Sequence, residues 1–386
     1  MHEVRVNRKA ARRVASGHVW IFQSDVVDTG GAEPGAAVLV ADLKGRPIGM
    51  AHFSAASQIS LRMLTRGVEE IGRDFFARRL AAAEAHRRRV VSGTDAYRVV
   101  HGEGDLLPAL VVDRYADYLV LQTLNQGMDG AREWIVGGLA DLFSPRGIVA
   151  RNDASVRTRE ALPLESGAIF GEVPDTVEFQ MNGLRLHADL LHGQKTGIFL
   201  DQRENYVAAA RYARGKALDC FTSTGGFALH LAPVCESVEA LDSSATALAV
   251  AARNAACNGI SNIEFREADV FVALAAYASA RRQFQTVILD PPAFAKSRSQ
   301  VEDAIRGYKE INLRALRLLN PGGILVTCSC SQRLSESAFL ELLAQASLDA
   351  GRQLRVLERR TQGLDHPILL TVPETHYLKC LILEVI

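Results

Sequence analysis

In the second half of the chain, short apolar runs alternate with amphipathic stretches. Ala217–Cys220, Ser237–Asp242, Ile263–Glu267, Thr286–Asp290 and Gly323–Cys328 read as strands, and Gly226–Ala232, Ala245–Asn258, Val270–Ala280, Val301–Leu319 and Glu336–Ser347 carry helical spacing. Buried runs with a helix between consecutive members predict a parallel, doubly wound α/β sheet. Gln353–Arg359 and Tyr377–Val385 have no helix between them and predict an antiparallel pair at one edge. Three strand ends organise this region: K-A-L-D-C-F-T-S-T-G-G-F (216–227), T-V-I-L-D-P-P-A-F (286–294) and G-I-L-V-T-C-S-C-S (323–331). Each apolar run stops on polar, Gly or Pro residues. Ligands of such sheets bind at the carboxyl ends of the strands, which puts Asp219, Asp290 and Cys330 at one sheet edge.

The first half has another pattern. Val38–Asp42, Ile48–Phe53 and Ile59–Leu64 are short strands with Gly/Pro turns, preceded by a basic helix at Arg8–Ala15 and an aromatic lead-in around Trp20, which suggests a small β-barrel over 1–70. Residues 71–93 read as a helix with Phe75, Phe76, Leu80 and Ala83 on the apolar side and the arginines on the other. Strands at 98–101, 109–113 and 118–124 and a helix at 131–143 follow, an α+β middle domain over 71–185. The doubly wound domain takes 186–386.

At about 150 residues per domain, 386 residues allow two or three domains. No apolar run approaches the ~18 residues of a membrane span, and the polar N-terminus does not read as a secretory signal. The six cysteines contain no C-x-x-C pair, which argues against zinc and a disulfide framework and for a reducing cytoplasm. Lys and Arg number 44 against 44 acidic residues, so any nucleic-acid footprint must be local. Two basic clusters stand out, at residues 5–13 and at 78–89.

The loop after the first strand, Phe221-Thr222-Ser223-Thr224-Gly225-Gly226, lacks the first glycine of G-x-G-x-x-G, so a pyrophosphate cradle is disfavoured. Asp242 ends the second strand, where a carboxylate can accept both ribose hydroxyls, and Asp269 follows the third, where it can face an adenine amino group. This order of acids resembles the class I S-adenosylmethionine-dependent methyltransferases. Gln202 and Arg203, in a helical turn begun by Asp201, and Lys195 are candidates at the methionine end; a solvated helix turn explains them equally well.

H-G-Q-K-T-G-I-F-L-D-Q-R-E-N (192–205), D-C-F-T-S-T-G-G-F (219–227), D-P-P-A-F (290–294), R-G-Y-K-E-I-N (306–312), S-C-S (329–331) and D-H-P (365–367) occur in this order. H-V-W-I-F (18–22), F-S-A-A-S-Q-I-S-L-R (53–62) and Y-R-V-V-H-G-E-G-D-L-L-P-A-L-V-V-D-R-Y (97–115) precede them. Together they resemble the three-domain bacterial 23S ribosomal RNA cytosine-5 methyltransferases, over essentially the whole chain. The resemblance implies an N-terminal PUA domain that binds RNA, S-adenosylmethionine as cofactor, large-subunit ribosomal RNA as substrate and cytosine carbon 5 as target. A homodimer is compatible with this organisation.

Carbon 5 of cytosine becomes nucleophilic once a thiolate has added to carbon 6. Cys330 matches the family's nucleophile position, and Cys328, two residues back on the same strand, is its rival. Asp290 would hold the cytosine edge, with Pro291 and Pro292 fixing the turn. Asp219, Phe221, Thr222, Gly225, Asp242 and Asp269, with Gln202, Arg203 and Asp290, form the expected cofactor set. Cys220, Cys235, Cys257 and Cys380 read as small buried hydrophobes, and His192 and His366 as structural hydrogen-bonders. Two other readings remain: an exocyclic-amine RNA methyltransferase, which needs no cysteine, and a non-catalytic RNA-binding ribosome assembly factor.

Overall fold

A computed structural model describes residues 2–193, 197–294 and 301–386. The chain divides into two compact units: Met1–Gly183 with Ala188–Ile198 and Leu364–Thr375, and Leu184–His187 with Phe199–Gly363 and His376–Ile386. Among the described residues no helix is long and apolar enough to cross a membrane.

The first unit contains two sheets. Its six-stranded sheet runs Trp20–Phe22, Ile59–Thr65, Pro47–Phe53, Ala37–Ala41, Glu3–Val6, Val26–Asp28. The apolar positions of these strands alternate inward, so Val4, Val6, Val38, Val40, Ile21 and Leu61 meet in one core. A five-stranded sheet, from Glu165–Gly171 through Gly147–Asn152, Tyr118–Thr123 and Leu110–Tyr115 to Ala96–His101, carries helices Arg73–Val90 and Arg132–Phe143. Phe75, Phe76, Leu80 and Ala83 pack with Ile135 and Leu139 over its apolar face, as their spacing predicted.

The arginine face of that first helix departs from expectation. Arg87 is 1% exposed, not solvated. It pairs with Asp105 and donates to the carbonyls of Arg98 at 2.8 Å and Asp365 at 2.7 Å. Asp365 lies in the segment 364–375, which belongs to this unit although its neighbours in sequence do not. The Asp365 carboxylate accepts the Arg98 amide at 2.8 Å, and His366 stands 3.0 Å from the same carboxylate, buried, as a structural histidine.

The second unit holds the doubly wound sheet. Its strands are β1 (Lys216–Cys220), β2 (Ser237–Asp242), β3 (Ile263–Glu267), β4 (Phe284–Leu289), β5 (Leu319–Ser329), β6 (Leu354–Arg360) and β7 (Lys379–Val385). Its helices are α1 (Arg203–Tyr212), α2 (Gly226–Leu231), α3 (Ala245–Cys257), α4 (Val270–Ser279), α5 (Val301–Leu318) and α6 (Glu336–Asp349). The order is β3-β2-β1-β4-β5-β7-β6. β1 to β5 are parallel, and β7 runs antiparallel to both β5 and β6. The expected edge pair forms, with the last strand inserted inside the sheet and β6 outermost.

Replacing Arg87 with Met leaves the Asp105 charge buried and unpaired, so the denaturant midpoint should fall by the equivalent of about 3 kcal/mol or more. Arg88→Met, at a side chain 69% exposed, should change stability by less than about 1 kcal/mol in the same urea titration.

Candidate active site

Register brings the candidate residues into one row. Cys220 of β1 is level with Leu241 of β2 and Leu289 of β4, and Leu289 with Thr327 of β5. One step further on, Phe221, Asp242, Asp290 and Cys328 therefore emerge together at the carboxyl edge, and Cys330 follows two residues beyond Cys328.

The loop after β1 is held by two carboxylates. Asp219, fully buried, accepts the Thr222 hydroxyl at 2.6 Å and the Ala228 amide at 2.9 Å through Oδ2. Its Oδ1 is buried with no partner among the described residues. Burial pushes this carboxyl up to about 7, against the pull of its two donors and helped by Asp242. Asp242 accepts the Ser223 amide at 2.9 Å and the Ser244 amide at 2.9 Å, one on each oxygen. Phe221 and Ser223 are thereby kept at φ 65° and 49°, left-handed conformations that side chains disfavour. Gly225 sits at φ 88° at the start of α2. At Gly226 a Cβ would fall 2.4 Å from the Tyr206 ring, so only glycine lets α2 approach α1.

Asp269 caps α4, accepting the Val272 amide at 3.0 Å, and is exposed. Arg203 opens α1, 1% exposed, and pairs with Glu204 at 2.5 Å. Asp201 does not cap α1; its carboxylate accepts the Tyr377 hydroxyl at 2.7 Å. Lys195 lies outside the described residues.

Gln202 has a partner that sequence reasoning missed. Its side-chain amide donates to Asp290 at 2.9 Å and accepts from Asn205 at 2.7 Å. Asn205 in turn donates to the Thr361 carbonyl at 3.0 Å and accepts from Arg360 at 2.8 Å. The contact spans 88 residues of sequence; the two polar residues in adjacent turn positions, Gln202 and Asn205, were its only trace. Tyr308 of the R-G-Y-K-E-I-N stretch is also brought in. It is fully buried, facing Ser329, Cys330 and Asp290, and its ionisation is pushed well up, first by burial.

The two cysteines of S-C-S and its preceding residue differ. Cys328 is fully buried and stands directly opposite Cys380 of β7. Burial, with Cys380 and Asp290 alongside, pushes its thiol well up. Cys330 is partly exposed. Of the cysteines expected to be buried, Cys220, Cys235 and Cys380 are, whereas Cys257 is partly exposed and donates to the Arg185 carbonyl at 3.2 Å.

The outward groups at this edge are mainly acceptors: the remaining lone pairs of Asp242, the carboxylate of Asp269 and that of Asp290. A ribose diol, an adenine amine and a sulfonium present donors or positive charge, so this set fits S-adenosylmethionine. A pyrophosphate, which needs donors and cations, would be repelled.

Fold and edge define an α/β methyltransferase preceded by a unit that carries a six-stranded sheet. Residues 4–66 match a PUA-like domain and residues 156–375 an S-adenosylmethionine-dependent methyltransferase. The chain is 41% identical to the Ribosomal RNA large subunit methyltransferase I of Shewanella denitrificans, covering 99% of each. It is 42% identical to that of Shewanella amazonensis over 95% of each and 41% identical to that of Tolumonas auensis over 96% of each. A protein proposed to be a methyltransferase, solved with SAH, has the same fold, with a TM-score of 0.87 at 18% identity over the whole of both chains. The chain belongs to the family of S-adenosylmethionine-dependent methyltransferases that contains these ribosomal RNA large subunit methyltransferases. S-adenosylmethionine is accordingly its cofactor.

Because the folded Asp219 carboxyl titrates near 7 and an ordinary one near 3.8, the folded state holds a proton that the unfolded state releases between those values. The stability due to this proton is full below about pH 4 and is lost as pH rises to 7. Asp219→Asn should remove that loss. Urea unfolding at pH 4.5 and 8 should show the variant gaining on the parent by the order of a few kcal/mol at the higher pH; an unchanged difference contradicts the assignment.

Proposed function

We propose that this chain forms 5-methylcytosine in 23S ribosomal RNA, through a covalent adduct between Cys330 and carbon 6 of the target base. The observation that carries this reading is the placement of a partly exposed Cys330 and of Asp290 at the ends of neighbouring strands β5 and β4. Ribosomal RNA as substrate follows the names of the relatives, and cytosine carbon 5 follows the S-C-S and D-P-P-A-F motifs.

Cys330 as thiolate adds to carbon 6, and the ring becomes an enamine with electron density on carbon 5. S-adenosylmethionine, when bound, supplies the electrophilic methyl group that carbon 5 takes. A base then takes the carbon 5 proton, and the electron pair of that C–H bond expels the thiolate and restores the aromatic ring. Asp290 holds the edge of the base at nitrogen 3 or the exocyclic amine and offsets the charge that builds there during addition. Gln202 fixes one oxygen of Asp290 at 2.9 Å and so helps to orient the carboxylate. For the cofactor, Asp242 takes the ribose hydroxyls and Asp269 the adenine end, with Phe221, Thr222 and Gly225 forming the loop that Asp219 tightens, and Arg203 behind the methionine end.

The division of labour is three domains: a PUA-like RNA-binding domain over 1–70, a middle domain over 71–185 and the catalytic domain over 186–386. A base in stacked RNA must be turned out to reach the edge, at a cost of about a few kcal/mol. Phosphate contacts by the basic N-terminal stretch would supply part of it, so binding should weaken with salt. Arg87 is not among those contacts.

The amine-methylating reading is less well supported. Those enzymes place an aromatic after Pro-Pro to stack on the base, whereas Ala293 stands there. Phe294, one residue later, packs on Tyr308 with ring centroids 4.6 Å apart and on Phe271 at 5.9 Å.

With undermethylated large-subunit RNA and labelled S-adenosylmethionine, nucleoside digestion should yield 5-methylcytosine. Cys330→Ala should lower the rate by at least about a thousandfold, and Cys328→Ala by less than about tenfold. A product methylated on an exocyclic amine, or full activity in Cys330→Ala, would overturn the reading.

A further inference from the structure

Lys379 opens β7, and the register sets it directly opposite Ser329 on β5. Lysine is rarely buried, yet this one is 5% exposed. Its ammonium donates to the carbonyls of Ser331, the last residue of S-C-S, at 2.5 Å and of Tyr377, two residues before β7, at 2.8 Å. Carbonyls orient an ammonium but do not neutralise it. Among the described residues no carboxylate lies within ion-pair distance, so this is a buried cation that lacks a conventional counter-ion.

The acidic groups in electrostatic reach of Lys379 are Cys330 first and Glu336, at the start of α6, second. Other described ionisable groups lie near the two side chains. Tyr308 comes from α5, Asp290 from the end of β4, Cys328 from β5 and Cys380 from β7. Tyr308 and Cys328 both have their ionisation pushed well up and stay neutral. An ionised Asp290 carboxylate opposes a second negative charge nearby. Burial brings its own ionisation down to about 8, with Cys330 drawing it back up, so it is still mostly an ammonium at neutral pH.

We propose that Lys379 is the counter-charge of Cys330: held by the two carbonyls, its ammonium keeps the Cys330 sulfur ionised and selects it over Cys328. The S–H proton passes to solvent and the electron pair stays on sulfur, so nothing is oxidised or reduced. Lys379 acts through Cys330 and is a positioning residue. Its use in methylation rests on the reading of Cys330 as nucleophile; the charge pair itself does not. A stabilised thiolate also leaves carbon 6 more readily at the end of the reaction.

The test is the pH dependence of alkylation by iodoacetamide, read at Cys330 by peptide mass spectrometry with Cys257 followed in the same digest. In the unaltered protein the Cys330 midpoint should lie at least about one unit below the ~8.5 of a free thiol. Lys379→Met should raise it by one unit or more and slow alkylation at pH 7 about tenfold or more, Lys379→Arg should restore most of it, and Cys257 should not change. Calorimetry with S-adenosylhomocysteine checks that each variant is folded. An ordinary midpoint in the unaltered protein, or no shift in a folded Lys379→Met, overturns the proposal, and the first of these decides the matter even where the variant does not fold. If the shift is present while Cys330→Ala still makes 5-methylcytosine, the charge pair stands and the nucleophile reading falls.

Discussion

A carboxylate at the end of a buried strand must be held by donors, or it takes up a proton or turns away. Asp290 meets this constraint through a row of side-chain amides. Arg360 orients Asn205, Asn205 orients Gln202, and Gln202 donates to Asp290 at 2.9 Å. The row runs from the end of β6, across the first turns of α1, to the end of β4. Each member has its other hydrogen-bonding group occupied, so none can rotate without orphaning a buried partner. The orientation of Asp290 is therefore a property of the whole edge of the sheet rather than of the D-P-P turn alone.

The loop after β1 obeys the same constraint from the opposite side. Two non-glycine residues, Phe221 and Ser223, sit in left-handed conformations that cost of the order of 1 kcal/mol or more each. Asp219 and Asp242 offset this by binding backbone amides of the loop and of the helices on either side of it. Of these, Asp219 is committed to the loop, and Asp242 keeps outward lone pairs for a cofactor. The strain falls where the chain must turn sharply between strand and helix, beside the row of groups that would meet the cofactor.

Much of this was legible in the sequence for a simple reason: the sheet is built from local signals. Apolar runs ending on Asp or Cys, and helices between them, report β1 to β5 one at a time, and the parallel order follows. What was not legible depends on partners distant in sequence. The burial of Arg87 needs Asp105, 18 residues on, and the backbone of Asp365, 278 residues on. The grip of Gln202 on Asp290 spans 88 residues. Lys379 carries no motif, and only the insertion of β7 beside β5 brings it under the S-C-S turn. Asp269, read from the sequence as an acid facing an adenine, is seen in the structure capping the helix that follows it, accepting the Val272 amide at 3.0 Å.

The account's central claim is that Cys330 bonds to the base during the reaction, and a substrate that halts the reaction at that bond tests it most directly. Large-subunit RNA transcribed with 5-fluorocytidine carries no removable proton at carbon 5, so the adduct formed after methyl transfer should persist. Incubation with S-adenosylmethionine, denaturation and peptide mapping should then yield a stable protein–RNA complex with the nucleotide attached to Cys330. A complex attached to Cys328, or methyl transfer to carbon 5 with no complex at any cysteine, would contradict the account.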